Sequence, residues 1–152
     1  MFPFADAHAR PRSFPIVNVA LIALSGLVFL YEIALSGGSL LGGGGNQDSA
    51  VFFYKWGFIP EELTNGRAFE VLRTGSSSLD ITSPLPTWTT IFSSMFIHGG
   101  LLHFAGNMMF LWVFGDNIED RLGHVKYLLF YLVAGVAAAL SQLGGDPHSQ
   151  AP

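Results

Sequence analysis

Apolar residues gather into three long runs separated by polar stretches. The first run is Ile16 to Leu35, interrupted only by Asn18, Ser25, Gly26 and Glu32. About twenty residues, at a rise of about 1.5 Å each, cross a hydrocarbon core about 30 Å thick. This run is therefore expected to be a first membrane-spanning helix. A cleaved signal sequence is the rival: Arg10 and Arg12 precede the run, and Ala34-Leu35-Ser36-Gly37 offers small residues for a cleavage site. The run is long for the apolar part of such a signal. Glu32 falls near its far end, where a carboxylate is expected to snorkel to the interface or to be capped.

Ser36 to Asn46 is rich in glycine and serine and reads as a flexible connection. Val51 to Leu63 is too short and too charged to span. Its aromatics, with Lys55, Glu61 and Glu62, suit a segment lying in the membrane interface, and equally a loop packed on the protein. Thr64 to Ser83 is polar and reads as loop with one turn of helix at most, punctuated afterwards by Pro84 and Pro86. Trp88 to Phe96 leads into a second span, expected from about residue 100 to 120 and closed by the polar run Gly115 to His124. A third span is expected over 125–143, where Gly135 and Ala137-Ala138-Ala139 give a small-residue face for close helix packing. The expected fold is an all-α membrane protein. It has an N-terminal tail (1–15), three transmembrane helices and a long, partly membrane-associated first loop (36–99). Gly144 to Pro152 forms a polar tail.

Composition sharpens this picture. Hydrophobic residues make up 50 % of the 152, and charged residues 12 %, against roughly 25 % in ordinary soluble domains. A net charge of −4 leaves no basic face for nucleic acid. With no cysteine, disulfides and thiolate metal sites are excluded. Arg10 and Arg12 flank the first span, and Arg121 and Lys126 lie between the second and third. Both sets fit the cytoplasmic side, which places the N-terminus there and the long first loop outside.

The central run carries the chemistry. Gly99, His103, Gly106, Asn107 and Phe110 share a stripe at helical spacing. In lipid, a polar stripe must face protein or trapped water, because an unsatisfied polar group in hydrocarbon costs several kcal/mol. His103 and Asn107 are four apart and can both donate hydrogen bonds. Donors aimed together at one point stabilise a developing oxyanion, worth about 3 kcal/mol for a donor of this kind. The same spacing suits a helix that merely bonds its neighbour, and spacing alone leaves both open. His98 and His103 lie five apart, about 140° around a helix, with no third ligand nearby, so no metal and no cofactor is expected.

The stretch Met95-Phe96-Ile97-His98 through Ser141-Gln142 resembles the second and third transmembrane helices of the rhomboid family, the intramembrane serine proteases. His103-Phe104-Ala105-Gly106-Asn107 matches that family's His-x-x-x-Asn, and His98 the histidine before it. Glu119-Asp120-Arg121-Leu122-Gly123 matches the turn motif Glu-x-Arg-Leu-Gly. Tyr54 to Pro60 and Phe92 to Phe96 are similar to bacterial-type members, and the likeness runs from about residue 15 to the end. It implies a rhomboid-like bundle in the cell membrane of a bacterium and transmembrane proteins as substrates. It also implies an oxyanion role for His103 and Asn107 and a supporting one for His98. In such proteases a serine in Gly-x-Ser-Gly on a fourth helix attacks the scissile bond, and a histidine on a sixth helix is its base.

The departures are as informative. No Gly-x-Ser-Gly occurs in these residues: Gly37-Gly38-Ser39-Leu40 and Gly75-Ser76-Ser77-Ser78 lack the final glycine. His8, His124 and His148 stand in a tail, a turn and a tail. A Trp-Arg pair common in the family's first loop is replaced by Trp88-Thr89. The expectation is the front half of a rhomboid protease core, inactive alone and completed by a missing C-terminal half. The alternative is a non-catalytic rhomboid-like protein that binds membrane clients or partners.

Overall fold

A computed structural model describes residues 14–39, 46–75 and 77–152. His8, Arg10 and Arg12 of the N-terminal tail lie outside the described residues, as do residues 40–45 of the glycine-rich connection.

Helix α1 is Ile16–Leu35, and its buried residues are Asn18, Leu21, Ser25, Phe29 and Glu32. They recur at intervals of three and four, so they form a single stripe. The opposite face is greasy: Leu24, Leu27 and Leu30 are exposed. Elsewhere the same inversion holds. Leu102, Trp112 and Val125 are among the most exposed side chains, while His98 and Glu119 are buried. Polar groups inside and apolar groups outside is the arrangement of a chain whose solvent is lipid.

The second long helix is built in three pieces: α5 (Leu101–Phe110), a π-helical turn (Leu111–Gly115) and α6 (Asp116–Leu122). Helix α7, His124–Gly145, follows after the single residue Gly123. Gly123 has φ 77° and ψ 161°, a conformation open only to glycine; its N–H donates to the Glu119 carbonyl at 2.7 Å and reverses the chain. Helices α1 and α7 are long and apolar enough to cross a membrane, with mean hydropathy 2.1 and 1.7. The α5–α6 helix qualifies only together with its lead-in, since His103, Asn107, Asp116 and Asn117 dilute it. The molecule is therefore a mostly helical integral membrane protein with two or three spans.

Between the first two spans lie α2 (Gln47–Trp56), α3 (Pro60–Asn65) and an antiparallel hairpin of β1 (Val71–Thr74) and β2 (Ser77–Asp80). The hairpin replaces the loop expected over Thr64 to Ser83. It pairs Leu72 with Leu79 and turns at Gly75, whose φ is +62°. Strands of four residues are too short to betray an alternating pattern. A lead-in of 3₁₀ turns and helix α4 (Thr90–Ser93) covers Thr87 to Phe96, then meets α5 at an 80° bend. The tail returns onto α3: the Glu61 amide donates to the Ser149 carbonyl at 3.1 Å, and the Thr64 hydroxyl to the Pro147 carbonyl at 3.2 Å.

Candidate functional site

The site is built around the bend before α5. His98 sits in that corner, 2 % exposed. Its amide donates to both carboxylate oxygens of Glu32, at 3.0 and 3.3 Å. Glu32 is thus buried rather than snorkelling to the interface, which corrects the first of the two expectations for it; it is the cap of a distant backbone amide. The His98 Nδ1 lies 3.0 Å from the Phe96 carbonyl, so that nitrogen carries the hydrogen and donates it. Its ring is boxed edge-on by Phe29 and Phe104, and meets the His103 ring with centroids 5.4 Å apart. Phe29 and Phe104 stack face to face with centroids 4.2 Å apart. Phe104 thereby turns inward on α1, and His103 is aimed to the other side.

That other side is a cavity of about 950 Å³. His103 and Asn107 line one wall, and Tyr131, Gly135 and Ala138 of α7 line another. Among the expected stripe, Gly99 and Phe110 also line the cavity and Gly106 does not. One residue before Asn107 is about 100° around the helix, enough to leave the groove. Neither the His103 nor the Asn107 side chain has a hydrogen-bond partner among the described residues. Two donor groups one helical turn apart therefore stand unengaged on the wall of an open groove.

The wall is shaped by its neighbours. Met95, from the lead-in, fills the notch at Gly135: a Cβ there would lie 2.3 Å from the methionine Cε. Part of the small-residue face of α7 is thus taken by the lead-in, while Ala134, Ala138 and Ala139 still line the cavity. Ser94 also lines it, but its hydroxyl donates to the Ile91 carbonyl at 3.0 Å and no histidine engages it. Without a partnered base, a serine hydroxyl is a weak nucleophile. His124 pairs instead with Glu119, and neither it nor His148 lines the cavity.

Sequence reasoning passed over several positioning residues. Asn18, Ser25 and Glu32 are spaced seven apart, two helical turns, and so stack on one face. That spacing marked a polar stripe on α1 facing the bundle. At the start of α1, which has no side-chain cap of its own, Glu119 accepts the amides of Val17 at 3.0 Å and Asn18 at 2.8 Å. The His124 Nδ1 lies against the same carboxylate.

A family model described as Rhomboid domain matches residues 86–151. The chain is similar to the rhomboid protease GluP of Bacillus subtilis (strain 168), 30 % identical over 64 residues, which is 42 % of this chain and 13 % of that protein. It is also similar to the chloroplastic rhomboid-like protein 11 of Arabidopsis thaliana, 33 % identical over 66 residues, 43 % of this chain and 24 % of the relative. The matched stretch thus spans less than a quarter of each of these relatives. No solved structure matches the chain. The family match begins at the lead-in to α5 and runs through α7, the segment that carries His98, His103, Asn107 and the Glu119 turn, and over that segment this chain is similar to the rhomboid family.

Proposed function

We propose that this chain supplies the oxyanion-binding side of a rhomboid-type intramembrane serine endopeptidase. His103 and Asn107 donate hydrogen bonds to the oxygen that becomes negative as the scissile carbonyl is attacked. A low-dielectric groove strengthens such bonds, because the donors need no reorganisation when the charge appears. His98 supports them by holding the corner from which α5 starts. The nucleophilic serine and its base histidine come from residues outside these 152, so this chain alone does not cleave. Membrane-embedded proteins are its substrates. The chain sits in a bacterial cell membrane with the N-terminus cytoplasmic, a placement supported by Arg10, Arg12, Arg121 and Lys126.

The observation that carries this reading is the pair of unengaged donors on the cavity wall. A polar pair kept only for helix packing would be bonded to a neighbour. The matches to a family model and to a relative named as a rhomboid protease point the same way.

The test is cleavage of a transmembrane reporter by the natural protein in its own membranes. His103→Ala and Asn107→Ala should each lower turnover by about 10²–10³-fold, the effect of removing an oxyanion donor, at unchanged expression. Turnover equal to wild type in both variants would overturn the assignment. A natural protein that takes up no serine-directed probe, cleaves nothing and is recovered with intact transmembrane clients would establish the non-catalytic alternative instead.

A further inference from the structure

The helix that carries His103 and Asn107 is not regular. Between α5 and α6, the π-helical turn Leu111–Gly115 holds one residue more than an α-helix would. Helices are disturbed at such turns and where a side chain enters the hydrogen-bond ladder, and here a side chain of α1 meets the turn. The Asn18 amide nitrogen donates to the Leu111 carbonyl at 3.0 Å, and its amide oxygen accepts the Tyr127 hydroxyl at 2.8 Å. Gly115 makes room for it: a Cβ there would lie 2.1 Å from the Asn18 oxygen. A second amide, Asn117 Nδ2, reaches the Val113 carbonyl at 3.5 Å in the same turn. Asn18 is 3 % exposed and its own amide is held by Glu119, so it has little freedom to move.

The consequence is rotational. If the turn relaxed to α-helix with α6 fixed, α5 would advance by one residue, about 1.5 Å, and rotate by about 100°. Phe104 would come to the place of His103 and Met108 to that of Asn107. His103 would move toward the position of Leu102, which is 90 % exposed on the lipid side.

We propose that Asn18 is a positioning residue that holds the π-turn and thereby sets the rotational register aiming His103 and Asn107 into the groove. The chemical consequence rests on the oxyanion reading; the register itself does not, and it can be measured without activity.

The chain has no cysteine, so single cysteines report cleanly. His103→Cys, Phe104→Cys and Asn107→Cys are placed one at a time in the full chain in membrane vesicles, and labelled with a charged, water-soluble thiosulfonate. With Asn18 present, positions 103 and 107 should label and position 104, packed on Phe29, should not. With Asn18→Leu, labelling should shift by one residue: 104 gains it and 103 loses it. Deleting Trp112, which is 70 % exposed, removes the extra residue from the turn. In the Asn18→Leu background this deletion should restore labelling at 103 and protection at 104. The inference is overturned if Asn18→Leu leaves the pattern in place. It is equally overturned if Asn18→Leu exposes all three positions alike and the Trp112 deletion does not restore the pattern, since Asn18 would then only support the fold.

Discussion

Glu62 shows how costly a carboxylate is once it leaves water. It is 2 % exposed; one oxygen accepts the Phe69 amide at 2.7 Å, and the other is buried with no partner among the described residues. Burial pushes its pKa above the ordinary carboxylate range, and the bond from Phe69 opposes this only in part. A carboxyl whose pKa is higher in the folded state binds its proton more tightly there. Its stabilising contribution is full below the unfolded value of about 4.5 and is lost as pH rises through the raised folded value. Amide-exchange protection around α3 and Phe69 should therefore fall as pH rises across that window. Glu62→Gln should flatten the dependence, and an unchanged slope in that variant would move the titration to another group. Residues of this kind are only half legible in a sequence. His103 and Asn107 stand out because they interrupt an apolar run. Asn18 and Glu32 interrupt one too, yet their partners lie 93 and 66 residues away, and no local pattern connects them.

Helix α1 is held at both ends by carboxylates. Glu119 takes two amides of its first turn, where the helix dipole also favours a negative charge. Glu32, in its last turn, takes the amide of His98. Glu119→Ala would leave the Val17 and Asn18 amides unpaired in a dry site at about 1–3 kcal/mol each. We expect a clear fall in the denaturation midpoint of the protein in detergent micelles. Glu119→Gln should recover part of the loss, because its single amide oxygen can still accept a hydrogen bond. A Glu119→Ala midpoint equal to wild type would show that water replaces the cap. Among the elements, the long apolar helices were readable from length and hydropathy, because lipid demands both. The β1–β2 hairpin was not, since four-residue strands rest on one cross-strand leucine pair and a glycine turn. Nor was the break before α5: apolar residues run on through Trp88 to Phe96, but the chain bends by 80°.

At the scale of the molecule, the α5–α6 helix, α7 and part of the first loop line a groove that already holds two donors and the small residues Ala134, Ala138 and Ala139. The tail crosses back over α3 toward this groove: Pro152 lines it, and a Cβ on Gly57 would lie 2.7 Å from the proline Cβ. On the protease reading, the natural protein isolated from its membrane has an intact mass above the 16.4 kDa of these residues, or is recovered with a second chain that carries the serine. A mass equal to Met1 to Pro152, with no second chain, would remove the protease reading and turn attention to bound clients.

Membrane character, the spans and the identity of the polar pair follow from the chain alone, because hydrophobic length and polar outliers are local properties of a sequence in lipid. The rhomboid motifs are local in the same way, and their spacing survives unaligned reading. The direction in which that pair points is not local. It depends on an asparagine from α1 reaching the Leu111 carbonyl, on Gly115 giving it room, and on Phe104 stacking against Phe29. Each is a contact between residues far apart in the chain, and a rotation of about 100° separates a helix that serves the groove from one that faces lipid.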